Sequence, residues 1–278
     1  MKNKNLFLYL VWLLEGVVVG FGAILPGISG GTLCVAFGMY RPIIETVSSL
    51  GRALKKHGAM LLTFASGIAL GFIGLSGVAS WMLNKNTVLV TCAFIGFILG
   101  TFPELWRDAA REGRTKHSYM AMGTCFVVML IVLGLLRTKV ELTIQANTAG
   151  FVLCGVLWGL SFIVPGLSSS SLLLFFGLYQ PMLEGISTLD FTVLLPMGIG
   201  MAACVLLLSK LVGLAYQNHY ASVSHGVLGI VAATAVMIYP FQPVTLPELG
   251  LQVLLIVFGL CLSLYFTHLC DSLKAKAE

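Results

Sequence analysis

Residues 16–50 read GVVVGFGAILPGISGGTLCVAFGMYRPIIETVSSL, and residues 155–189 read GVLWGLSFIVPGLSSSSLLLFFGLYQPMLEGISTL. The two stretches align without a gap at a constant offset of 139 residues (165 − 26). The residues that recur are Gly16, Gly20, Pro26, Gly27, Ser29, Gly38, Tyr40, Pro42 and Glu45, matched by Gly155, Gly159, Pro165, Gly166, Ser168, Gly177, Tyr179, Pro181 and Glu184. Self-similarity at a fixed spacing indicates a chain built from two copies of one unit.

The composition around the repeat predicts an all-α polytopic membrane protein. Hydrophobic residues make up 58% of the chain and charged residues 10%, which excludes an ordinary soluble domain. The apolar residues form runs of about 18–22, the length that crosses the hydrocarbon core as a helix. Six crossings are predicted near residues 59–82, 87–104, 118–136, 193–212, 223–239 and 249–268.

Two further apolar stretches, 6–50 and 147–190, are interrupted in the middle, and the loop charges indicate how they run. If each stretch returns to the side it entered, only Lys85, Arg137 and Lys139 lie outside, and the other 13 of the 16 Lys and Arg residues are cytoplasmic. This distribution favours two re-entrant hairpins and places both termini in the cytoplasm. The apolar run after Lys2 and Lys4 has no convincing cleavage site, so we expect it to be retained.

The number of crossings sets the relation between the copies. Each interrupted stretch is followed by three crossings, an odd number, so the second copy must enter the membrane from the opposite face. We therefore expect an inverted repeat, with a first copy at 1–140 and a second at 141–278. Each copy comprises a re-entrant helical hairpin and three transmembrane helices, an architecture typical of transporters.

The tips of the two hairpins carry the candidate site. A Pro-Gly pair breaks each helix, and small or hydroxyl-bearing residues follow before a new half-helix begins. Half-helix N-termini that converge from opposite faces would present free N–H groups to an anion, and phosphate fits such a site. The predicted phosphate-binding residues are Pro26, Gly27, Ser29, Gly30, Gly31, Thr32, Pro165, Gly166, Ser168, Ser169, Ser170, Ser171 and, from one side, Arg41.

The ionisable and glycine positions have competing interpretations. Glu15, Glu45 and Glu184 are candidates for coupling transport to protons or cations. An alternative role for Glu15 is to pair with a basic group. An alternative role for Glu45 and Glu184 is to act as caps at the membrane edge. Arg41 is alternatively a positive-inside anchor. Small residues also permit close helix packing, which is the interpretation favoured for Gly16, Gly20, Gly155 and Gly159.

The sequence does not favour an enzyme. Gly27-Ile28-Ser29-Gly30 matches the GxSG of intramembrane serine proteases, but such a serine needs a base at membrane depth. The five histidines lie in loops or near the ends of predicted spans, and the Arg/His constellation of a lipid phosphatase is missing. We therefore predict no catalytic residues, no cofactor and no metal site. The net charge of +5 is spread over short loops, so no nucleic-acid partner is expected.

The paired PG-[IL]-S-[GS]-[GS]-[ST] segments and the Gly-x-Tyr-x-Pro that follows each of them resemble a bacterial and archaeal membrane family described as polyprenyl-phosphate transporters. The resemblance covers essentially the whole chain. It implies that Pro26 to Thr32 and Pro165 to Ser171 line a head-group site, with Ser169 and Ser170 replacing Gly30 and Gly31 in the second copy.

The activity implied is transfer of undecaprenyl phosphate from the outer to the cytoplasmic leaflet of the bacterial inner membrane, by rocking of one repeat against the other. The expected partners are the polyprenyl-phosphate lipid and the bilayer, and a homo-oligomer is compatible with the sequence. The alternative is an ion-coupled carrier or channel for a small inorganic anion, because half-helix sites also suit such ions.

Overall fold

The computed structural model describes residues 2–25, 34, 37, 39, 50–139, 144–164 and 167–277. In this part of the chain the regular structure is helical, with no strands. The helices are α1 (Lys2–Ile24), α2 (Leu50–Lys85), α3 (Thr87–Ala109), α4 (Lys116–Lys139), α5 (Thr148–Ile163), α6 (Ser169–Phe175), α7 (Tyr179–Ser187), α8 (Phe191–Ile238) and α9 (Leu246–Ala277).

Five of the described helices are long and apolar enough to cross a membrane, namely α2, α3, α4, α8 and α9. The all-α polytopic prediction is therefore confirmed. Several starts are defined by polar caps, since Asn86 Oδ1 accepts from Leu89 N at 3.0 Å and Asn147 Oδ1 accepts from Gly150 N at 3.0 Å.

Helix α8 contains two of the six predicted crossings. Its 48 residues would extend about 72 Å if straight, more than twice the thickness of a hydrocarbon core. The backbone of His219 is non-helical, with φ −143° and ψ 43°, and divides α8 at a kink. The predicted spans 193–212 and 223–239 begin on either side of this kink.

Helices α1 and α2 pack with their backbones in direct contact. A Cβ added to Gly16 would lie 2.2 Å from Phe64 O, and one added to Gly67 would lie 2.2 Å from Leu13 O. Farther along both helices, a Cβ on Gly20 would lie 2.3 Å from Ile68 O. The contacts advance in the same direction on both helices, so α1 and α2 are parallel.

Helix α5 packs in the same way on the first half of α8. A Cβ on Gly155 would lie 1.9 Å from Met197 O, and one on Gly200 would lie 2.1 Å from Val152 O. A Cβ on Gly159 would meet Met201 O at 3.0 Å, so this pair is also parallel. Close packing was the favoured interpretation of these glycines, and it is confirmed for Gly16, Gly20, Gly155 and Gly159.

The remaining long helices pair between the two halves of the chain. A Cβ on Gly96 of α3 would lie 1.9 Å from Ile256 O of α9, and one on Gly259 would lie 2.1 Å from Ala93 O. A Cβ on Gly229, in the second part of α8, would lie 2.2 Å from Met122 O of α4. Helices α3 and α4 therefore each pack on a helix from beyond residue 141.

These contacts recur at nearly constant spacings. Gly16 and Leu13 correspond to Gly155 and Val152 at the offset of 139. Their partners on α2 and α8 correspond at 133 (200 − 67), and so do Gly96 and Gly229. The buried hydroxyl of Thr101 donates to Ile98 O at 2.8 Å, and Thr234 donates to Val231 O at 2.9 Å, again 133 residues apart. The offset changes by six because Gly155 and Gly200 lie six residues closer in the sequence than Gly16 and Gly67 do.

Candidate functional site

The first and second broken segments begin at equivalent positions. Helix α1 ends at Ile24 and α5 ends at Ile163, which differ by the repeat offset of 139. Leu25 N donates to Phe21 O at 3.1 Å, and Val164 N donates to Leu160 O at 2.8 Å, one residue before each proline. A residue that precedes proline is disfavoured in the helical region, so both helices end where the sequence predicts.

The serine run after the second break is buried. Ser168 is the N-cap residue of α6, and Ser169, Ser170 and Ser171 are 7%, 5% and 1% exposed. The Ser171 hydroxyl donates to Ser168 Oγ at 3.2 Å. Helix α6 packs against α5 and α8, so the side chains of Ser169, Ser170 and Ser171 are buried inside the helical bundle.

One hydrogen bond in the turn that follows α6 recurs at the equivalent position in the first half of the chain. Leu178 N donates to Leu173 O at 3.0 Å and Gly177 N donates to Leu174 O at 3.2 Å, with Gly177 at φ +71°. This pair of bonds is the Schellman ending, and it needs a residue that tolerates positive φ. In the first half, Met39 N donates to Cys34 O at 2.8 Å, the equivalent of the Leu178 bond.

Ten of the predicted site and coupling residues lie outside the described residues. They are Pro26, Gly27, Ser29, Gly30, Gly31, Thr32, Arg41, Glu45, Pro165 and Gly166. The predictions made for them stay predictions. Of the whole candidate set, the structure places Ser168, Ser169, Ser170, Ser171, Glu15 and Glu184.

Glu15 lies on α1 beside the tight contact with α2. Its Oε2 is buried and has no hydrogen-bond partner among the residues that the structure describes. A buried polar atom of this kind is unfavourable unless a ligand, a water molecule or a proton satisfies it. Within the described residues, the location therefore keeps Glu15 as a candidate for carrying a proton or cation.

Glu184 joins the two halves of the chain at the last turns of α2. Its Oε1 accepts from Asn84 Nδ2 at 2.9 Å and from Ser80 Oγ at 3.3 Å. Gln180 Nε2 in turn donates to Asn84 Oδ1. Helix α7 runs antiparallel to α2 here, with Ser187 beside Gly77. Glu184 was predictable from the sequence but its partners were not, because nothing local indicates which side chains a distant helix brings together.

Tyr179 is a second contact between the halves that the sequence analysis did not assign. Its hydroxyl donates to Ile24 O, the last residue of α1, at 2.6 Å. Tyr179 is 1% exposed and Ile24 is completely buried. The ring of Phe94 meets the Tyr179 ring edge-on, with centroids 5.9 Å apart. Recurrence of the tyrosine within Gly-x-Tyr-x-Pro was the available signal.

His225 is buried inside α8, between the rings of Trp106 and Tyr119, whose centroids lie 6.1 and 5.7 Å from its own. Its Nδ1 lies 2.7 Å from Ala221 O and donates to it, because a carbonyl oxygen can only accept. Nε2 has no partner in the described part of the chain. Cys92 occupies the equivalent position at the offset of 133, so this histidine belongs to one half alone.

Comparison with known proteins gives one family. The sequence model of a family described as undecaprenyl phosphate translocase-like matches residues 2–119 and, in a second match, 55–248. A relative from Staphylococcus aureus is 24% identical over 265 residues, which cover 91% of this chain and 94% of the relative. A relative from Vibrio cholerae is 25% identical over 212 residues, 71% of this chain and 66% of the relative. Both are named polyprenyl-phosphate transporter. No solved structure matches.

Proposed function

The chain belongs to the undecaprenyl phosphate translocase-like family, and we propose that it moves undecaprenyl phosphate from the outer to the cytoplasmic leaflet of the bacterial inner membrane. The two relatives named polyprenyl-phosphate transporter support the substrate class. The relative from Staphylococcus aureus aligns with most of both chains, so the proposal concerns the whole protein. We propose a transporter without catalytic residues.

The proposed architecture is an inverted repeat of 1–140 and 141–278, with both termini in the cytoplasm. The recurring helix contacts support two equivalent units, because four helix pairs form two sets related by nearly constant offsets. The parallel pairing supports the re-entrant hairpins. Helices α5 and α8 can be parallel only if the chain between them, which includes α6 and α7, returns to the side where α5 began.

The proposed head-group site lies between the two broken segments. The observation that carries it is the burial of Ser169, Ser170 and Ser171 directly after the second break. Hydroxyl groups at this depth need hydrogen-bond partners, and phosphate oxygens accept from hydroxyl and backbone N–H donors. The segment from Pro26 to Thr32 supplies the other half of the site in this proposal, while the polyprenyl tail remains in lipid.

The charge of the head group makes coupling necessary in this proposal. Moving one elementary charge across 100 mV involves about 2.3 kcal/mol, so a dianion entering a negative-inside cell faces about 4.6 kcal/mol. Protons that move inward with the lipid would offset this energy. Glu15 is the proposed carrier within the described helices because its buried Oε2 has no partner there. Glu45 and Glu184 are further candidates from the repeat.

A leaflet-exchange assay in reconstituted vesicles tests the function. We expect the wild-type protein to transfer undecaprenyl phosphate between leaflets and the triple variant S168L/S169L/S170L to lose this transfer. Ser66→Leu is the control, because Ser66 lies exposed on α2 and its hydroxyl donates within its own helix, to Leu62 O at 2.8 Å. Normal transfer by the triple variant would refute the site. Transport of an inorganic anion without lipid transfer would favour the alternative function.

A further inference from the structure

We propose that a groove between α3 and α4 binds one anionic phospholipid of the surrounding bilayer, with an acyl chain in the groove and the phosphate diester at Arg114 and Lys116. The groove opens on a different face of α8 from the one that meets the serine run. The inference goes beyond transport of undecaprenyl phosphate and does not depend on the direction of that transport.

The groove is the first part of the site. One wall is formed by Phe102 and Trp106 of α3 and the other by Met122 and Phe126 of α4, with the second part of α8 behind them. Its volume is about 200 Å³, and its lining is apolar. A Cβ added to Gly123 would meet nothing within 4 Å, so the groove is open at this point. A hydrocarbon chain of the bilayer would fill this space, because unfilled apolar walls lose their dispersion contacts.

One end of the groove lies at the level of the lipid head groups. The rings of Trp106 and Tyr119 meet there, with centroids 6.3 Å apart. Trp and Tyr side chains are enriched where a membrane protein passes from hydrocarbon to water. The apolar span of α4 also begins at this end, at Lys116. The other end, at Phe102 and Phe126, therefore lies deeper, at the level of the acyl chains.

Arg114 is held at the head-group end by two contacts with Trp106. Its guanidinium carbon lies 4.8 Å from the centroid of the Trp106 ring, and its Nη2 donates to Trp106 O at 3.3 Å. A guanidinium has five N–H donors, so donors remain for the oxygens of a phosphate. Because the side chain is already positioned, a phosphate binds it at a smaller cost in side-chain entropy.

The charge around Arg114 selects an anionic head group. Residues 107–116 contain four basic and two acidic side chains, a net charge of +2 (4 − 2). Asp108 already pairs with Arg111 at 3.0 Å, whereas the described residues give Arg114 and Lys116 no carboxylate partner. Lys116 also begins α4, whose N-terminal dipole adds to the positive potential. Hydrocarbon chains of every bilayer lipid suit the groove, so this charge decides which lipid stays.

The position of the groove favours a phospholipid of the bilayer over the transported lipid. Val227 and Val231 of α8 belong to a core cluster against which Leu174 of α6 packs. Leu228 and Ala232, each one position further along α8, line the groove instead. A lipid in the groove therefore lies on a different face of α8 from α6, the helix that carries the buried serines.

Native mass spectrometry of the full-length protein, released from vesicles with equal amounts of phosphatidylglycerol and phosphatidylcholine, tests the head-group end. We expect phosphatidylglycerol to be retained at least about fivefold more than phosphatidylcholine, the factor for one basic side chain beside an anionic lipid. Arg114→Gln combined with Lys116→Gln should remove this preference. Lys85→Gln combined with Lys210→Gln is the matched control, because it removes the same charge from other exposed positions and should keep the preference.

Gly123→Leu tests the groove itself. The backbone tolerates the new side chain, since a Cβ there has nothing within 4 Å, and the leucine would occupy the space of the acyl chain. We expect this variant to lose the retained phosphatidylglycerol. Gly134→Leu is the control on the same helix, because a Cβ there also has nothing within 4 Å and the position lies outside the groove.

Equal retention of the two lipids by the wild-type protein would overturn the site. A preference that survives the loss of Arg114 and Lys116, or wild-type retention by Gly123→Leu, would overturn it as well. Vesicles that also contain undecaprenyl phosphate distinguish the other occupant. If this lipid displaces phosphatidylglycerol and is lost in Gly123→Leu, the groove holds the transported lipid and the proposal is wrong. Retention is measured without leaflet exchange, so a failure of the proposed function is a separate result.

Discussion

Gly155→Ala tests the backbone contact between α5 and α8. The added Cβ would lie 1.9 Å from Met197 O and 2.8 Å from Met201 N, and both atoms belong to the main chain. Carbon and carbonyl oxygen normally approach to about 3.3 Å, so the two helices must separate by about 1.4 Å. Overpacking of this kind costs about 1–3 kcal/mol, and we expect the upper part of that range because backbone cannot rotate away.

The assay is thermal unfolding of the purified protein in detergent. A loss of about 2–3 kcal/mol corresponds to a fall in Tm of about 4–12 °C for a chain of this size. Gly198→Ala is the control on α8, since a Cβ there has nothing within 4 Å. Alanine is a better helix former than glycine by about 0.5–1 kcal/mol, so the control should keep or raise Tm.

The same reasoning applies to the first half. A Cβ on Gly16 would lie 2.2 Å from Phe64 O, so Gly16→Ala should destabilise nearly as much as Gly155→Ala. Gly74→Ala, with nothing within 4 Å of its Cβ, is the control. An unchanged Tm for Gly155→Ala, or an equal fall for both controls, would show that these helices do not touch as described.

Three further outcomes are expected. Glu184→Gln should keep the contact between α2 and α7, because the amide oxygen still accepts both hydrogen bonds, whereas Glu184→Ala should lower Tm by about 2–6 °C, roughly 1–1.5 kcal/mol. If Glu184 also carries the coupling proton, Glu184→Gln will abolish the dependence of transport on a pH gradient. Gly259→Ala should destabilise the α3–α9 pair, with Cβ 2.1 Å from a carbonyl oxygen, while Gly250→Ala on the same helix should not, and similar melting curves would contradict that pairing. In a variant without native cysteines, an impermeant thiol reagent should label Lys85→Cys in intact cells and Arg111→Cys only after lysis; the reverse pattern would overturn the proposed orientation.

The long helices and the breaks were predictable from sequence, and their partners were not. Hydropathy located every long helix, and proline placed the ends of α1 and α5 because its effect on the preceding residue is local. The kinked α8 covers the predicted spans 193–212 and 223–239, but the sequence did not predict one 48-residue helix, since no proline or glycine marks His219. The contacts of Glu184 and Tyr179 depend on how distant helices pack, which no local pattern encodes.

The burial of the serine run shows what a repeat adds to local signals. The Pro-Gly break inside an apolar stretch and the alignment with the PGISGGT segment together predicted a site at the four serines. Ser169 to Ser171 are buried, and phosphate binding by them stays a prediction.

The pairing of the helices also constrains how the transporter could move. The sequence suggested that one repeat rocks against the other, but α3 packs on α9 and α4 packs on the second part of α8 through glycine contacts. Separating 1–140 from 141–278 as rigid bodies would break the α3–α9 pair and the pair of α4 with the second part of α8. In both pairs the two backbones lie too close together for a Cβ atom at the contacting glycines. The pairs α1–α2 and α5–α8, by contrast, each lie within one half. Their described links across the halves include the hydrogen bonds of Tyr179 and Glu184 and the packing of Trp158 against Phe72. In the proposed transport cycle, a tilt of these two units against the frame of the other four helical segments would keep both glycine-packed pairs of that frame together.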